Sequence, residues 1–228
     1  MTTWSYSSLK TFDQCPKKYY HLKVAKDVKD SGSEATIYGE QVHKAAEDYV
    51  KSGIPVPKKY DVIAPVVETL NSFAGDKYAE VKLGIKITDN GHETCDFFDH
   101  EVWWRGIADF VSVDGEKAMS VDFKTSKNTR YADMKQLDLI AAGLFLKFPE
   151  VQEIKSALAF VVCNEFIHKK HKRAGFNTYV NVFAPQLERL EGAQESGVWN
   201  ANPSGLCRQH CPVVTCEHNG KGSWARRR

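Results

Sequence analysis

The hydrophobic residues of the first third of the chain recur at the three- and four-residue intervals of amphipathic helices. Hydroxyl side chains that can cap a helix precede the first of these segments, and a proline interrupts it. The predicted helices are one that starts near Ser5 and breaks at Pro16, one over 34–51 that ends at Gly53, and one over 60–73.

The period shortens to two residues from Tyr78 onward, which is typical of strands. The predicted strands cover 79–88, 101–113, 117–124, 154–164 and 178–183, and an amphipathic helix is predicted over 132–148. Asp114-Gly115 predicts a tight hairpin between the second and third strands. This order indicates a mixed sheet flanked by helices in one α/β domain over 1–228: a helical part at 1–77, a core at 78–184, and a helix and cysteine-rich tail at 185–228.

Composition excludes two classes of protein. Of the 228 residues 42 % are hydrophobic and 26 % charged, with a net charge of only +2, so the signature of disorder is absent. The longest apolar runs, 139–146 and 158–163, are too short to span a membrane, so no membrane partner is expected. The N-terminal residues lack the pattern of a secretory leader, which predicts a reducing, cytoplasmic location and cysteines that bind metal rather than form disulfides.

The predicted hairpin brings charged side chains together. With a two-residue turn at Asp114-Gly115, Asp109 faces Ser120, and Asp122 is its diagonal neighbour on the same side. Alternation adds Lys124 to that side, within otherwise apolar strands. Either Lys124 neutralises one aspartate, or the two carboxylates hold a hard cation that prefers oxygen ligands.

Three cysteines near the C-terminus have the density of a metal site. Cys207, Cys211 and Cys216 lie within ten residues, among prolines and glycines. A zinc site is one reading, with Cys207 and Cys216 as ligands and the others drawn from His210, Cys211, His218 and Cys15. Cys95 and Cys163 are expected to be free thiols.

Several motifs resemble one enzyme family in the correct order. They are Gly106-Ile107-Ala108-Asp109, a dozen residues before Asp122-Phe123-Lys124; the segment from Ser5 to Cys15-Pro16 and Tyr19; Gly39 to His43; and Gln136. Together they resemble the PD-(D/E)xK nuclease superfamily, and within it the RecB-like and AddB-like iron–sulfur exonucleases, including CRISPR-associated and phage enzymes. Ile140 departs from the pattern, since these relatives usually carry a tyrosine four residues after the glutamine.

The resemblance implies a fold and a catalytic set. The fold would be a restriction-endonuclease-like core whose N-terminal helices and cysteine-rich C-terminal segment are joined by a metal cluster. His43, Asp109, Asp122 and the Phe123 carbonyl would bind Mg²⁺ or Mn²⁺. Lys124, Gln136 and Glu80 would complete the catalytic site with the two aspartates.

The resemblance also assigns the cysteines. Cys15 would join Cys207, Cys211 and Cys216 in holding a [4Fe-4S] cluster. The family usually places two and then five residues between the last three cysteines, whereas this chain has three and then four. Zn²⁺ is the alternative.

The implied activity is a DNA exonuclease that acts on single strands or duplex ends in recombination, repair or phage DNA processing. The setting would be a bacterium or a phage-infected cell, with a recombination or replication protein as a partner. The expected DNA contacts are Lys127, Arg130, Tyr131, Lys169 and Lys170. Two alternatives stay open: a structure-specific endonuclease, which would cut circles, and a non-enzymatic zinc-stapled nucleic-acid-binding module, which would not need the aspartates. The oligomeric state is left open.

Overall fold

The computed structural model describes residues 2–30, 32–130 and 132–222, so Tyr131, a predicted DNA contact, lies outside the described residues. The helices are α1 (Tyr6–Gln14), α2 (Pro16–Tyr19), α3 (Glu34–Ser52), α4 (Ala64–Ser72), α5 (Lys135–Lys147), α6 (Phe176–Asn181) and α7 (Ala184–Ser196). A π-helical turn covers Tyr20–Val24, and 3₁₀ turns cover Lys58–Ile63, Arg173–Gly175 and Gly205–Cys207. The strands are β1 (Asp76–Thr88), β2 (Gly91–Cys95), β3 (Trp104–Asp114), β4 (Lys117–Lys124), β5 (Glu153–Phe160) and β6 (Glu165–Lys172).

The contacts divide the chain into two units. The first covers Gly32–Val182, and the second combines Thr2–Ser31 with Phe183–Arg228. The single domain over 1–228 stays a prediction.

The first unit contains a mixed six-stranded sheet in the order β2-β1-β3-β4-β5-β6. Strands β4 and β5 are parallel and the other neighbours are antiparallel. Buried side chains of α3 and α4 pack against β3, β4 and β5 around Phe110 and Phe123. The predicted fold class, a mixed sheet flanked by helices, is confirmed.

Helix α5 is buried along nine consecutive residues, from Leu137 to Phe145. A Cβ atom at Gly143 would lie 2.9 Å from the ring of Trp104 and 3.0 Å from Leu83, so only glycine permits this approach of helix to sheet. The helix begins at Lys135, three residues later than predicted. This packing fixes the position of its first turn, which carries Gln136.

The register of the central hairpin differs from the prediction. Asp114 pairs with Lys117, so the two loop residues are Gly115 and Glu116. The shift conserves the side on which each residue lies, and it places Asp109 directly opposite Asp122 rather than diagonal to it. The predicted pairing of Asp109 with Ser120 is therefore wrong.

Four further elements differ from the predictions. Residues 178–183, predicted as a strand, lie mainly in helix α6. Strand β2 was not predicted, nor was strand β6 at the edge of the sheet, which contains the expected DNA contacts Lys169 and Lys170. The predicted helix over 60–73 is a 3₁₀ turn followed by α4, which begins where Pro65 occupies the first turn.

The second unit contains α1, α2, the π-helical turn, α7 and the cysteine-rich tail. Helix α1 begins as predicted: the backbone N–H of Ser8 donates to the Ser5 hydroxyl, and that of Ser5 donates to the Ser8 hydroxyl. Tyr19 stacks on Trp199 with ring centroids 5.8 Å apart, and Phe12 meets Tyr19 edge-on at 5.7 Å. In the part of the chain that the structure describes, no helix combines the length and apolar character needed to cross a membrane.

Candidate active site

Three carboxylates occupy facing positions on three neighbouring strands. Pairing on both sides of Glu80 in β1 places it opposite Asp109 in β3, and the β3–β4 register places Asp109 opposite Asp122. Facing residues of adjacent strands have Cβ atoms about 5 Å apart. The sheet thus brings Glu80, Asp109 and Asp122, all predicted from the sequence, into one row.

The strands separate at this row. Pairing between β3 and β4 ends at Phe110 and Val121. Beyond that point β3 continues to pair with β1, and β4 continues to pair with β5 as far as Lys124. The carboxylates therefore lie where two parts of the sheet diverge, which opens space for a ligand beside them.

Glu80 has an unusual backbone conformation. Its φ angle is +52°, in the left-handed region that costs a non-glycine residue of the order of 1–2 kcal/mol. Burial, followed by the nearby charge of Asp109, raises the pKa of the Glu80 carboxyl. Ligand atoms of Glu80, Asp109 and His43 lie within 4.8 Å of one another. Strain and electrostatic repulsion are both tolerated at the point where a cation would relieve the repulsion.

His43 projects from α3 towards this group. Its Nε2 lies 3.0 Å from the carbonyl oxygen of Phe123, which can only accept a hydrogen bond, so Nε2 carries a proton. Its Nδ1 lies 3.3 Å from Oδ2 of Asp109. Burial lowers the pKa of His43, but the hydrogen bond and charge of Asp109 outweigh burial and raise it. The Nδ1 atom and the carboxylate therefore need a proton or a metal ion between them.

Asp122 is almost fully buried. Its Oδ1 accepts a hydrogen bond of 2.5 Å from the amide of Gln136, and its Oδ2 forms an ion pair with Lys124. Burial, followed by the charge of Asp109, raises the pKa of Asp122, against the opposing effect of Lys124. Oδ2 faces the ammonium group of Lys124, so a bound cation would share this oxygen with Lys124.

Gln136 forms hydrogen bonds to both Asp122 and Lys124. Besides donating to Asp122, its side-chain oxygen accepts a hydrogen bond of 3.1 Å from Nζ of Lys124. The residues predicted as catalytic therefore include a connected set, Asp122, Lys124 and Gln136, next to the group of His43, Glu80 and Asp109.

Comparison with known proteins identifies this arrangement. A family model described as the PD-(D/E)XK nuclease superfamily matches residues 3–216. The chain belongs to the PD-(D/E)XK nuclease superfamily. No curated protein sequence matches it.

Two solved structures resemble this chain to different degrees. A crystal structure from Eubacterium rectale, described as a "Putative exonuclease", is 13 % identical, with a TM-score of 0.50 over 90 % of this chain and 86 % of that one. SSO0001 is 12 % identical over 96 % and 88 % of the two chains, with a TM-score of 0.42. At these identities the first likeness shows the fold alone, and the second score is too low to support even that.

Nucleases of this superfamily use divalent metal ions, and the site has suitable donors. Carboxylate oxygens with one imidazole suit hard divalent ions such as Mg²⁺ and Mn²⁺. The Nδ1 atom of His43, which faces Asp109, and the mutually repelling carboxylates of Glu80 and Asp109 are groups that a cation would satisfy. The Phe123 carbonyl, also a predicted metal ligand, accepts the hydrogen bond from His43, while the Phe123 N–H donates to Oδ2 of Asp109 at 2.7 Å.

The predicted DNA contacts of this nuclease lie in two places. Lys127 and Arg130 are exposed in the loop that follows β4 and Lys124. Lys169 and Lys170 are consecutive residues of β6, so their side chains point to opposite faces of the sheet. Lys169 forms an ion pair of 2.6 Å with Asp138, whereas Lys170 is exposed.

A buried polar network between α5 and the outer strands was not predicted. Asp138 lies 2.8 Å from Nε2 of His171, whose Nδ1 lies 3.1 Å from the Ser156 hydroxyl. All three side chains are buried, and Lys169 pairs with the same carboxylate. The available signal was an aspartate, two residues after Gln136, in an otherwise apolar helix segment.

The four cysteines predicted as cluster ligands lie together in the second unit. Cys15, Cys207, Cys211 and Cys216 line one small cavity, with His218. Backbone N–H groups of Asn202 and Ser204 donate to the sulfur atoms of Cys15 and Cys207, each at 3.4 Å. Among the residues described, the groups of three ligand atoms within 4.8 Å of one another include no cysteine.

Proposed function

We propose that this nuclease is a metal-dependent DNA exonuclease. The observation that supports it best is the placement of Asp109 opposite Asp122, with Lys124 and Gln136 bound to the second carboxylate. A structural ion pair would not need the additional carboxylate of Glu80, held at positive φ beside Asp109.

In the proposed reaction some residues bind the metal ion and others orient the water or stabilise charge. Glu80, Asp109, Asp122 and His43 would hold Mg²⁺ or Mn²⁺, and the bound ion would supply an activated water molecule and neutralise phosphate charge. The ammonium group of Lys124 is held between Asp122 and the Gln136 oxygen, where it orients the water or stabilises charge on the phosphate oxygens. No residue of the chain forms a covalent bond to the substrate.

Two observations support DNA ends as the substrate. The exposed cations Lys127 and Arg130 follow the catalytic strand directly and are suited to backbone phosphates. The protein of similar fold from Eubacterium rectale is described as a "Putative exonuclease", although the likeness itself concerns the fold. Recombination, repair or phage DNA processing in the cytoplasm, with a recombination or replication protein as partner, is the setting that we propose.

We further propose that the protein is of the RecB- and AddB-like group and that Cys15, Cys207, Cys211 and Cys216 hold a [4Fe-4S] cluster. The four sulfurs line one cavity, and four thiolates are the ligand set of a [4Fe-4S] cluster. The N–H donors to Cys15 and Cys207 suit such sulfurs. Zn²⁺ with His218 is the alternative.

The test is cleavage of end-labelled linear DNA and of circular single-stranded and duplex DNA, with Mn²⁺ or Mg²⁺ and anaerobically purified protein. We expect linear DNA alone to be degraded, with release of short products from the labelled end. Asp109→Ala should abolish cleavage, whereas Asp89→Ala, a matched change at an exposed turn, should not.

Other results would select one of the alternatives. Cleavage of circles would contradict the exonuclease and favour a structure-specific endonuclease. DNA binding without cleavage by metal-replete protein, unchanged by Asp109→Ala, would indicate a nucleic-acid-binding module.

A further inference from the structure

Phe98 lies in the segment between β2 and β3 and is 71 % exposed, the largest exposure among the large hydrophobic side chains that the structure describes. Phe97, its neighbour, meets it edge-on with ring centroids 5.0 Å apart. Exposed aromatic rings have a cost in water, and a cluster of them commonly marks a binding surface.

Two cations lie against these rings. The ammonium of Lys82 is 5.2 Å from the centroid of Phe98 and 5.8 Å from that of Phe97. The guanidinium of Arg105 is 5.5 Å from the centroid of Phe97. These four residues, Lys82, Phe97, Phe98 and Arg105, are called the aromatic patch below.

The segment that carries the rings is ordered by its own acidic residues. Oδ1 of Asp96 accepts a hydrogen bond of 2.8 Å from the N–H of Phe98, and Oδ1 of Asp99 accepts one of 2.9 Å from the N–H of Glu101. Such Asx turns fix the backbone locally. The backbone that carries the exposed Phe98 ring is therefore held in place before any ligand binds.

The strand register relates the patch to the carboxylates. Lys82 is two residues beyond Glu80 on β1, and Arg105 is four residues from Asp109 on β3. At about 3.3 Å per residue these separations are about 7 and 13 Å along the strands. A stacked nucleic-acid strand advances about 3.4 Å per nucleotide, so the patch lies about two to four nucleotides from the carboxylates.

We infer that the aromatic patch is a stacking surface for unpaired bases of a single DNA strand whose scissile phosphodiester lies at Glu80, Asp109 and Asp122. The exposed ring of Phe98 receives a base face, and Lys82 and Arg105 contact the neighbouring phosphates. Paired bases are stacked on each other and do not offer these faces, so the patch selects single strands. This inference rests on the proposed function and adds its strand preference.

The test is binding of a fluorescein-labelled oligothymidine and of a blunt duplex, measured by anisotropy in EDTA so that no cleavage occurs. We expect Phe98→Ala to weaken single-strand affinity about tenfold and to change duplex affinity less than about twofold. Phe98→Tyr, which keeps the stacking face, should bind as the wild type does. Phe73→Ala, which removes a 42 % exposed ring after α4, should have no effect.

Two results would overturn the inference: unchanged single-strand affinity in Phe98→Ala, or equal losses for single strands and duplexes. Thermal unfolding of each variant checks that the fold persists. Different results would contradict the proposed exonuclease activity and the proposed stacking surface. If the wild type binds single strands through Phe98 but cleaves no DNA with any divalent ion, the exonuclease is wrong and the binding surface stands. If Phe98→Ala cleaves single strands with wild-type KM, the surface is wrong and the nuclease stands.

Discussion

At the scale of single residues, Glu80 combines two unfavourable features, a left-handed backbone and a carboxylate beside Asp109. Both are tolerated because the rest of the sheet holds the residue in place. Such strain gathers at functional sites, where it fixes a geometry that an unstrained chain would not adopt. A substitution that relieves the strain at residue 80 should therefore raise the stability of the protein relative to one that keeps the strain, while it lowers the cleavage activity.

Glu80→Gly should be more stable than Glu80→Ala by about 1 kcal/mol, because both remove the charge but only glycine is free of strain at positive φ. Both variants should cleave DNA at least tenfold more slowly than the wild type, a roughly estimated loss for one metal ligand. Urea unfolding and initial cleavage rates measure the two effects. Equal stability of the two variants would mean that the backbone at residue 80 is not strained.

Asp122 and Lys124 should separate metal binding from catalysis. Asp122→Asn should weaken Mn²⁺ binding, because a charged ligand is lost. Lys124→Met should bind Mn²⁺ at least as tightly as the wild type, because it removes a cation paired with Asp122, yet cleave about 100-fold more slowly or worse. Isothermal titration calorimetry measures the Mn²⁺ affinity of each variant, and single-turnover cleavage measures its rate. Lys155→Met, at an exposed position, is the control. Loss of Mn²⁺ affinity in Lys124→Met would contradict these roles.

At the scale of elements, the network of Asp138, His171 and Ser156 anchors the first turn of α5 to β5 and β6. That turn also carries Gln136, which holds Asp122 and Lys124. The position of the Gln136 amide thus depends on a buried polar network that begins two residues along the same helix.

This network should make stability depend on acid pH. Burial raises the pKa of Asp138, but His171 and Lys169 outweigh burial and hold the pKa below its ordinary value. The ionised carboxylate therefore stabilises the fold above the unfolded-state pKa of about 3.9, and this contribution is lost as the pH falls through the lower folded-state value. The free energy of unfolding, measured with urea, should change less between pH 7 and pH 3 for Asp138→Asn than for the wild type. The exposed change Asp89→Asn should keep the wild-type difference, and the same difference in Asp138→Asn would contradict the role of Asp138.

The elements also show what the sequence could predict. The limits of β4, residues 117–124, were predicted correctly, because alternating apolar residues and a turn signal define both ends. The register was wrong by one pair, because Asp114-Gly115 is a frequent turn pair but the loop here is Gly115 and Glu116. Since that error conserves side-chain direction, the shared side of Asp109 and Asp122 was still predicted.

Other elements had misleading local patterns. Strand β6 was not predicted, because most of its side chains are charged or polar and suggest a solvated segment. An edge strand tolerates such residues, since one of its sides is open to solvent. Residues 178–183 are rich in β-branched and aromatic residues, yet the tertiary context makes most of them helix α6. The contacts of His43 and Gln136 required packing of α3 and α5 on the sheet, and only the family resemblance indicated those residues.

At the scale of the whole molecule, the catalytic residues and the cysteines belong to different compact units. The first unit contains the carboxylates of the proposed Mg²⁺ or Mn²⁺ site, and the second contains the four thiols of the proposed cluster. The thiols are contributed by the beginning and the end of the chain, so a metal cluster would close a loop of nearly the entire sequence.

The cluster should therefore stabilise the second unit. Anaerobically purified protein should contain about four iron and four sulfide ions per chain. Cys211→Ala should lose most of this iron and lower the temperature of thermal unfolding, whereas Cys163→Ala, a thiol of the first unit, should retain the iron. Stoichiometric zinc without iron in anaerobic preparations would contradict the cluster and support the zinc site.

The central claim is that Glu80, Asp109 and Asp122 form one metal-dependent site for phosphodiester hydrolysis. Its most direct test is a Mn²⁺ titration of single-turnover cleavage of end-labelled DNA by the wild type and Asp122→Ala. We predict no cleavage in EDTA, saturable restoration by Mn²⁺ in the wild type, and no restoration in Asp122→Ala at any Mn²⁺ concentration. Cleavage that persists in EDTA, or that Asp122→Ala performs at the wild-type rate, would contradict the account.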